Sequence, residues 1–220
     1  MAEARNYYEW ILSFFAPHMG RQIIEVGAGT GTFTDHLLKR APDAEIVAIE
    51  PAANLFPLLA RRHAGNPRVR TIHGSLEENA ASLRGDTIVL ANVLEHIEND
   101  EEYLRLLNAI LRPGGHLLLF VPAIRWLYGS LDKEFEHFRR YEKPELRKKL
   151  GESGFQVKTI RYMNLPGVAS WFIAGRVLRR RTLSASDVRL YDRLVVPWCS
   201  KIERLWEPPV GQSLLAIASK

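Results

Sequence analysis

Residues Ile23–Thr34 read IIEVGAGTGTFT, an apolar run broken by Gly27, Gly29 and Gly31 and followed by residues that can open a helix. Glycines at a strand-to-helix turn reach backbone conformations closed to other residues and let a ligand approach the main chain. The free N–H groups of the helix start favour an anionic ligand group. A dinucleotide fold wants glycine or alanine at the sixth position of this motif, where the chain has Thr32, so the pattern is G-x-G-x-G. Glu25 precedes the first glycine by two positions. Glu50 closes the next apolar run, IVAIEP, where an acid can accept hydrogen bonds from ribose hydroxyls. Taken singly, the glycines also suit a tight turn and Glu50 an exposed strand end; together they have the pattern of a nucleoside site.

A second concentration of chemistry lies at Leu131–Tyr141, LDKEFEHFRRY. His137 could act as a general base. Arg139 and Arg140 could hold a carboxylate or phosphate through their planar forks. Tyr141 could offer a hydroxyl or an aromatic wall. The competing reading is a lid whose arginines pair with Glu134, Glu136 and Glu142. Two further places stay open. Glu95-His96-Ile97 is either part of a site or a helix start with His96 bonded to backbone. Tyr8, within Asn6–Trp10, either walls a pocket or packs on a sheet. No ordered acid and histidine set marks a metal site, and none is expected. The lone cysteine, Cys199, excludes an intramolecular disulfide framework and a cysteine-cluster zinc site.

The elements that must position these residues alternate. Strands are expected at Arg21–Val26, Glu45–Glu50, Arg68–His73, Thr87–Ala91 and Gly115–Val121. Helices are expected at Thr32–Arg40, at Ala52–His63 with a kink near Pro57, and at Asp100–Leu111, where Leu104, Leu107, Ile110 and Leu111 follow the 3.6 period. Near-continuous apolar strands between helices imply a parallel sheet covered on both faces, doubly wound by right-handed crossovers. Ligands of such sheets sit at the carboxyl ends of the strands. Beyond residue 123, Lys143–Leu150, Gly167–Arg181 and Ser186–Trp206 read as helical, the last interrupted near Pro197. Phe155–Tyr162 and Ser213–Ser219 read as strands.

Across residues 20–123, EVGAGTG, Glu50, Gly74-Ser75-Leu76, LANVLEHIEND and LRPGGHLLLFVP occur in order. In this the chain resembles class I S-adenosylmethionine-dependent methyltransferases. The resemblance implies an α/β, Rossmann-like, doubly wound sheet of seven mostly parallel strands with the last strand, Ser213–Ser219, antiparallel beside Phe155–Tyr162, plus a helical substrate cap. It implies S-adenosylmethionine as cofactor. Glu25 and the turn Gly27, Ala28, Gly29 and Gly31 would surround its methionine portion. Glu50, followed by Pro51, would hold the ribose. Ser75 and Leu76 would flank the adenine, without the acid that many relatives carry at the Ser75 position. Asn92 and Val93 would border the methionine portion, Tyr8 would cover the cofactor, and His96 would lie near the methyl-transfer cleft. The segment at His137–Tyr141 resembles an H-x-R-R-Y segment of bacterial small-molecule enzymes; His137 and His96 are the catalytic candidates, and Arg139, Arg140 and Tyr141 the substrate-binding candidates.

The expected organisation is one domain over residues 1–220: a covering segment at 1–19, a cofactor core at 20–123, a substrate cap at 124–150 and 163–211, and final strands at 154–162 and 212–219. The net charge of +5 conceals a division. Residues 1–123 hold 11 Lys+Arg against 15 Asp+Glu, and residues 124–220 hold 19 against 10. The basic half points first to an anionic small-molecule acceptor, second to a membrane surface or lipid-linked substrate through GVASWFIAGRVLRRR at Gly167–Arg181. No finger, RNA-binding aromatic motif or long basic tail is present, so no nucleic-acid partner is expected. No apolar run reaches the ~20 residues of a membrane span, and Met1–Trp10 lacks a signal-peptide core. A cytoplasmic monomer or homodimer is expected. Oxygen is the favoured methyl acceptor because His137 offers a base. Nitrogen or carbon acceptors, another nucleoside-using enzyme and a noncatalytic cofactor-binding subunit are the alternatives.

Overall fold

The computed structural model describes residues 4–182 and 184–220. Its strands are β1 (Gln22–Val26), β2 (Glu45–Glu50), β3 (Val69–His73), β4 (Gly85–Ala91), β5 (Leu111–Pro122), β6 (Gln156–Met163) and β7 (Ser213–Ser219). Its helices are α1 (Arg5–Phe15), α2 (Thr32–Arg40), α3 (Phe56–Arg62), α4 (Leu76–Asn79), α5 (Asp100–Ile110), α6 (Ser130–Glu134), α7 (Lys143–Glu152), α8 (Leu165–Phe172), α9 (Ala185–Leu194) and α10 (Val196–Leu205). Among the described residues the strands form one sheet of seven in the order β3-β2-β1-β4-β5-β7-β6. β1 to β5 pair in parallel, and β7 runs antiparallel between β5 and β6.

Successive strand side chains point to opposite faces, and both faces are covered. On β5, Leu117, Leu119 and Val121 join α5 residues Leu104, Leu107 and Ile110. Leu118 and Phe120 of the same strand join Trp10 and Phe15 of α1 and Leu37 of α2 on the other face. Two-sided burial is why these strands are almost uninterrupted in apolar residues.

Beyond shifts of one or two residues, four elements depart from the expected boundaries. β5 begins at Leu111 rather than Gly115. α3 begins at Phe56 rather than Ala52, with Pro57 in its first turn, where a missing N–H costs no helical bond. Gly167–Arg181 is not one α-helix: α8 ends at Phe172 and Ile173–Val177 winds as a π-helix. The expected Ser186–Trp206 helix divides into α9 and α10, with Pro197 in the first turn of α10.

All the parallel crossovers return to one edge, so the segments after β1, β2, β3, β4 and β5 share it. α1 packs on the sheet face that it shares with α2. Its Glu9 lies 2.7 Å from His36 Nδ1 and accepts from Arg40 Nε at 2.9 Å. Its Asn6 and Tyr7 N–H groups donate to the Asp192 carboxylate of α9 at 3.0 and 2.8 Å.

Candidate active site

The glycine turn leaves β1 with φ of +71° at Gly27, +57° at Gly29 and +79° at Gly31, the left-handed region in which glycine is favoured. At Gly27 a Cβ would also lie 2.5 Å from Val93 Cγ2, so the turn after β1 and the turn after β4 touch. Gly27 and Ala28 donate their N–H groups to the Ile49 carbonyl at 2.9 and 3.0 Å. Gly29 N–H donates to Glu50 Oε2 at 2.7 Å, and Ala52 N–H to Glu50 Oε1 at 2.8 Å. Each Glu50 oxygen therefore has one backbone donor and a further lone pair for a hydroxyl. A Cβ at Gly29 would meet open space, which leaves a cradle beside that carboxylate.

Glu25 is buried under the turn and accepts from Thr34 Oγ1 at 2.6 Å. Burial pushes its carboxyl up to about 8, and the neighbouring Asp35 and Glu50 add to the rise. Tyr8 packs edge-on against Phe33 at 5.2 Å. Burial, then the charges of Glu25 and Asp192, push its phenol up to about 12. Tyr8 packs in the core against Phe33 and His36 of α2. The Ser75 hydroxyl caps α4 by accepting from Glu78 N–H at 3.3 Å, and Leu76 is buried in the core. Pro51 lies exposed after Glu50. Asn92 adopts φ +55° and donates its N–H to the Phe120 carbonyl at 2.8 Å, which turns Val93 onto Gly27.

Beyond β4 the chain makes a short 3-10 turn at Leu94–His96. Here the segment containing His137 arrives from the cap. Asp132, fully buried, gathers four donors: His137 Nδ1 at 3.0 Å, Arg140 Nε at 2.7 Å, Gly129 N–H at 2.9 Å and Trp171 Nε1 at 3.2 Å. Burial would raise its carboxyl, but the His137 bond and the Arg140 charge outweigh it and hold the group below the usual carboxylate range. His137 Nε2 is left facing Glu95 Oε1 at 3.9 Å, and the His137 and His96 rings meet edge-to-face at 4.8 Å. Burial and the neighbouring His137 lower the pKa of His96. Glu95 is wholly buried with both oxygens lacking a hydrogen-bond partner, and burial pushes its carboxyl up to about 8.

The structure brings His96 and His137 together and separates the other members of the expected substrate set. Arg140 lies buried, stacked over Trp171 at 4.8 Å and bonded to the Ala123 carbonyl at 2.9 Å, with Nη2 unpaired. Arg139 pairs with Asp100 at 3.0 Å. Tyr141 is buried and donates its hydroxyl to Asp100 at 2.8 Å, so it is held in the core rather than turned to a ligand. The arginines pair neither as free substrate forks nor with Glu134, Glu136 or Glu142, because the chain folds back after α6 and presents Asp132 and Asp100 instead. A cavity of about 440 Å³ lined by Arg125, Arg139, Arg140 and Lys149 opens on this side. Arg125 and Lys149 are likewise paired, with Glu145 and with Asp100. Sequence reasoning missed Asp132, and it left Glu95 open as part of a site or of a helix start. Asp132 stood five positions before His137, but nothing local distinguished it from the other acids of that segment.

This strand order, with an antiparallel last strand, a glycine turn after the first strand and an acid closing the second, defines a Rossmann-like methyltransferase fold. A family model described as a methyltransferase domain matches residues 2–160, and the chain belongs to that family of S-adenosylmethionine-dependent enzymes. The mitochondrial ubiquinone biosynthesis O-methyltransferase of Schizosaccharomyces pombe is 32% identical over 108 residues, 46% of this chain and 37% of that protein. A tRNA U34 carboxymethyltransferase of Azotobacter vinelandii is 35% identical over 118 residues, 50% of this chain and 36% of that protein. These matches span about a third of the relatives' own length. A solved S-adenosylmethionine-dependent methyltransferase from Mesorhizobium loti superposes with a TM-score of 0.66 at 12% identity, covering 100% of both chains. A phosphoethanolamine N-methyltransferase 2 of Haemonchus contortus, solved with S-adenosylmethionine, has a TM-score of 0.64 at 17% identity, with 98% of this chain and 52% of that one covered.

The residues present fit this cofactor. The cradle at Gly29, the spare lone pairs of Glu50 and the buried Glu25 carboxyl match, in order, a close backbone approach, a pair of hydroxyls and an ammonium group. Position 75 carries no acid of its own, and the carboxylate that stands beside it is that of Glu78, which accepts from Ser75 N–H at 2.8 Å.

Proposed function

We propose that the chain transfers the methyl group of S-adenosylmethionine to an oxygen of a small-molecule acceptor. The observation that supports this reading is the Asp132–His137–His96 arrangement, which lies one turn beyond the contact between Val93 and the glycine turn. Gly27, Ala28, Gly29 and Gly31 cradle the methionine portion, Glu25 faces its ammonium, Glu50 holds the ribose, and Asn92 and Val93 close the same side. The cofactor supplies a methyl that is already electrophilic on its sulfonium. The protein's part is to align the acceptor, exclude water and remove the hydroxyl proton. Asp132 fixes the His137 ring through Nδ1 and leaves Nε2 without a hydrogen bond, facing Glu95 at 3.9 Å beside His96, so deprotonation depends on His137. The unpaired Nη2 of buried Arg140 is the group left to meet an anionic substituent.

The test is methyl transfer from labelled S-adenosylmethionine to a panel of phenolic, sugar and carboxylated acceptors. The expected result is a methylated product and a kcat lowered 10²-fold or more in His137→Ala, in the range that acid–base groups supply. Turnover by His137→Ala at the wild-type rate would remove the role, and a product methylated on nitrogen or carbon would replace the oxygen reading.

A lipid-linked acceptor is favoured by the outer face of the cap. Leu190, Leu194, Trp198, Ile202, Leu205 and Trp206 are each at least half exposed and recur about every four residues along α9 and α10. Exposed Arg193, Lys201 and Arg204 flank them. An apolar stripe edged by cations suits the surface of an anionic bilayer, while no helix among the described residues is long and apolar enough to cross one. In the Gly167–Arg181 segment Trp171 is committed to Asp132 and Arg140, while Phe172, Ile173, Val177 and Leu178 remain exposed and extend the same apolar surface. Flotation with anionic vesicles at low salt should carry the wild type and release Trp198→Glu. Equal flotation of both, or of neither, removes this surface from the proposal.

A further inference from the structure

We infer that Glu95, His96 and His137 form a binding site for a divalent cation of the zinc class. The inference rests on the reading of these histidines as the acceptor side. One ligand atom from each of the three lies within 4.8 Å of the others, and Glu95 Oε1 is 3.9 Å from His137 Nε2. Around an ion with bonds of about 2.1 Å, neighbouring ligand atoms stand about 3.0–3.4 Å apart. Binding an ion would draw the three side chains together by about 1 Å.

Two observations independent of this spacing point to a cation. The Glu95 carboxyl is fully buried and neither oxygen has a hydrogen-bond partner. A buried carboxylate without a partner is costly, and an ion between it and the two rings would satisfy it. Second, His137 Nδ1 is already held by Asp132 at 3.0 Å. A carboxylate on one ring nitrogen of a histidine is the common outer support of a metal ligand, because it fixes the tautomer that leaves the other nitrogen's lone pair free. Arg140 balances the Asp132 charge at 2.7 Å, which leaves the Glu95 charge for the ion. Two histidines and one glutamate also form the protein ligand set of catalytic zinc sites that keep an open position. The opening here is on the His96 side, which is exposed.

An ion in that position gives His137 the part of a ligand. The acceptor hydroxyl binds at the open position and its pKa falls; its proton passes to solvent. The oxygen's electron pair then forms the new bond to the methyl carbon, and the carbon–sulfur bond breaks with its pair left on sulfur. This is a different route to the deprotonation proposed above, and it explains why a buried glutamate sits beneath two histidines.

The experiment is a titration of the chelator-treated full chain with Co²⁺, followed by visible absorption and by isothermal calorimetry, with S-adenosylmethionine binding measured separately. One equivalent with a tetrahedral or five-coordinate absorption band is expected. In His96→Ala and Glu95→Gln the affinity should fall by more than about 100-fold, beyond the 10–100-fold that outer-shell changes cost. Both variants should still bind S-adenosylmethionine, which shows that they fold. His116→Ala is the control, because His18 and His116 are also paired, at 5.1 Å, and it should leave the band unchanged. No saturable equivalent in the wild type overturns the inference. So does a band lost in His116→Ala but kept in His96→Ala. S-adenosylmethionine binding that persists without Co²⁺ binding would remove the ion alone and leave the methyltransferase reading in place.

Discussion

The turn at Gly27–Gly31 and the cluster around Asp132 face the same edge of the sheet but are held by different means. The turn is fixed by backbone: three positive φ values, two N–H groups on the Ile49 carbonyl and two on Glu50. Its donors and acceptors come from within about 25 residues of one another. The cluster is fixed by buried charge. Asp132 collects His137, Arg140 and Trp171, and Arg140 reaches the carbonyl after β5. A backbone cradle tolerates changes in side chains around it. A buried ion pair does not, because removing one partner leaves an uncompensated charge. The first region therefore depends on local backbone geometry, and the second on the packing of the whole cap.

The sharpest way to break this contrast is Asp132→Ala. With Arg140 left buried and unpaired, the loss should be about 3–5 kcal/mol, read as a fall in the urea midpoint without a change in slope. A loss under 1 kcal/mol would mean that the cluster is not held by charge. Gly27→Ala should act on the other region: its Cβ meets Val93 at 2.5 Å at a φ of +71°. Cofactor affinity should fall more than tenfold by calorimetry while His96 and His137 keep their contact. Glu50→Gln should be milder, since the amide can still accept from one of the two N–H groups. A loss of about tenfold in S-adenosylmethionine affinity, with little change in melting temperature, is the expected outcome.

The smallest expected effect is on pH dependence. The Glu95 carboxyl is pushed up to about 8 in the fold, from 4.5 when free. The folded state therefore keeps a proton that the unfolded chain loses, so stability falls as pH rises through that window. Glu25 has the same sign. In chelator-treated protein, Glu95→Gln should raise the melting temperature at pH 8 by several degrees and roughly halve its decline between pH 5 and pH 8. An unaltered slope would mean that Glu95 is already ionised beside Arg140 and His137.

Much of the fold was legible because parallel strands and their helices carry local signatures. The apolar runs at β1, β2, β4 and β5, the heptad-like leucines of α5 and the glycines of the first turn all depend on neighbours in sequence. The antiparallel placement of β7 between β5 and β6 is not local, and its expected orientation came only through the resemblance carried by ordered motifs. The cap was less legible. Arg139, Arg140 and Tyr141 read as substrate contacts, yet the fold pairs Arg139 and Tyr141 with Asp100, some 40 residues earlier, and Arg140 with Asp132. No periodicity announces such pairs. Within Gly167–Arg181, Trp171 read as a surface residue, but the fold gives its Nε1 to Asp132, while its neighbours Phe172 and Ile173 stay exposed.

By itself, the sequence determined the parallel sheet, the edge where a ligand must sit, and a cofactor cradle whose glycines and Glu50 act through backbone geometry close in the chain. Only the tertiary structure decided what the cap's charges do. Glu95 and His137 lie more than 40 positions apart and meet because β4 and β5 are neighbours and the chain after β5 folds back over their ends. Burial then settles their chemistry, since a charge's partner and solvation depend on what packs around it rather than on what precedes it.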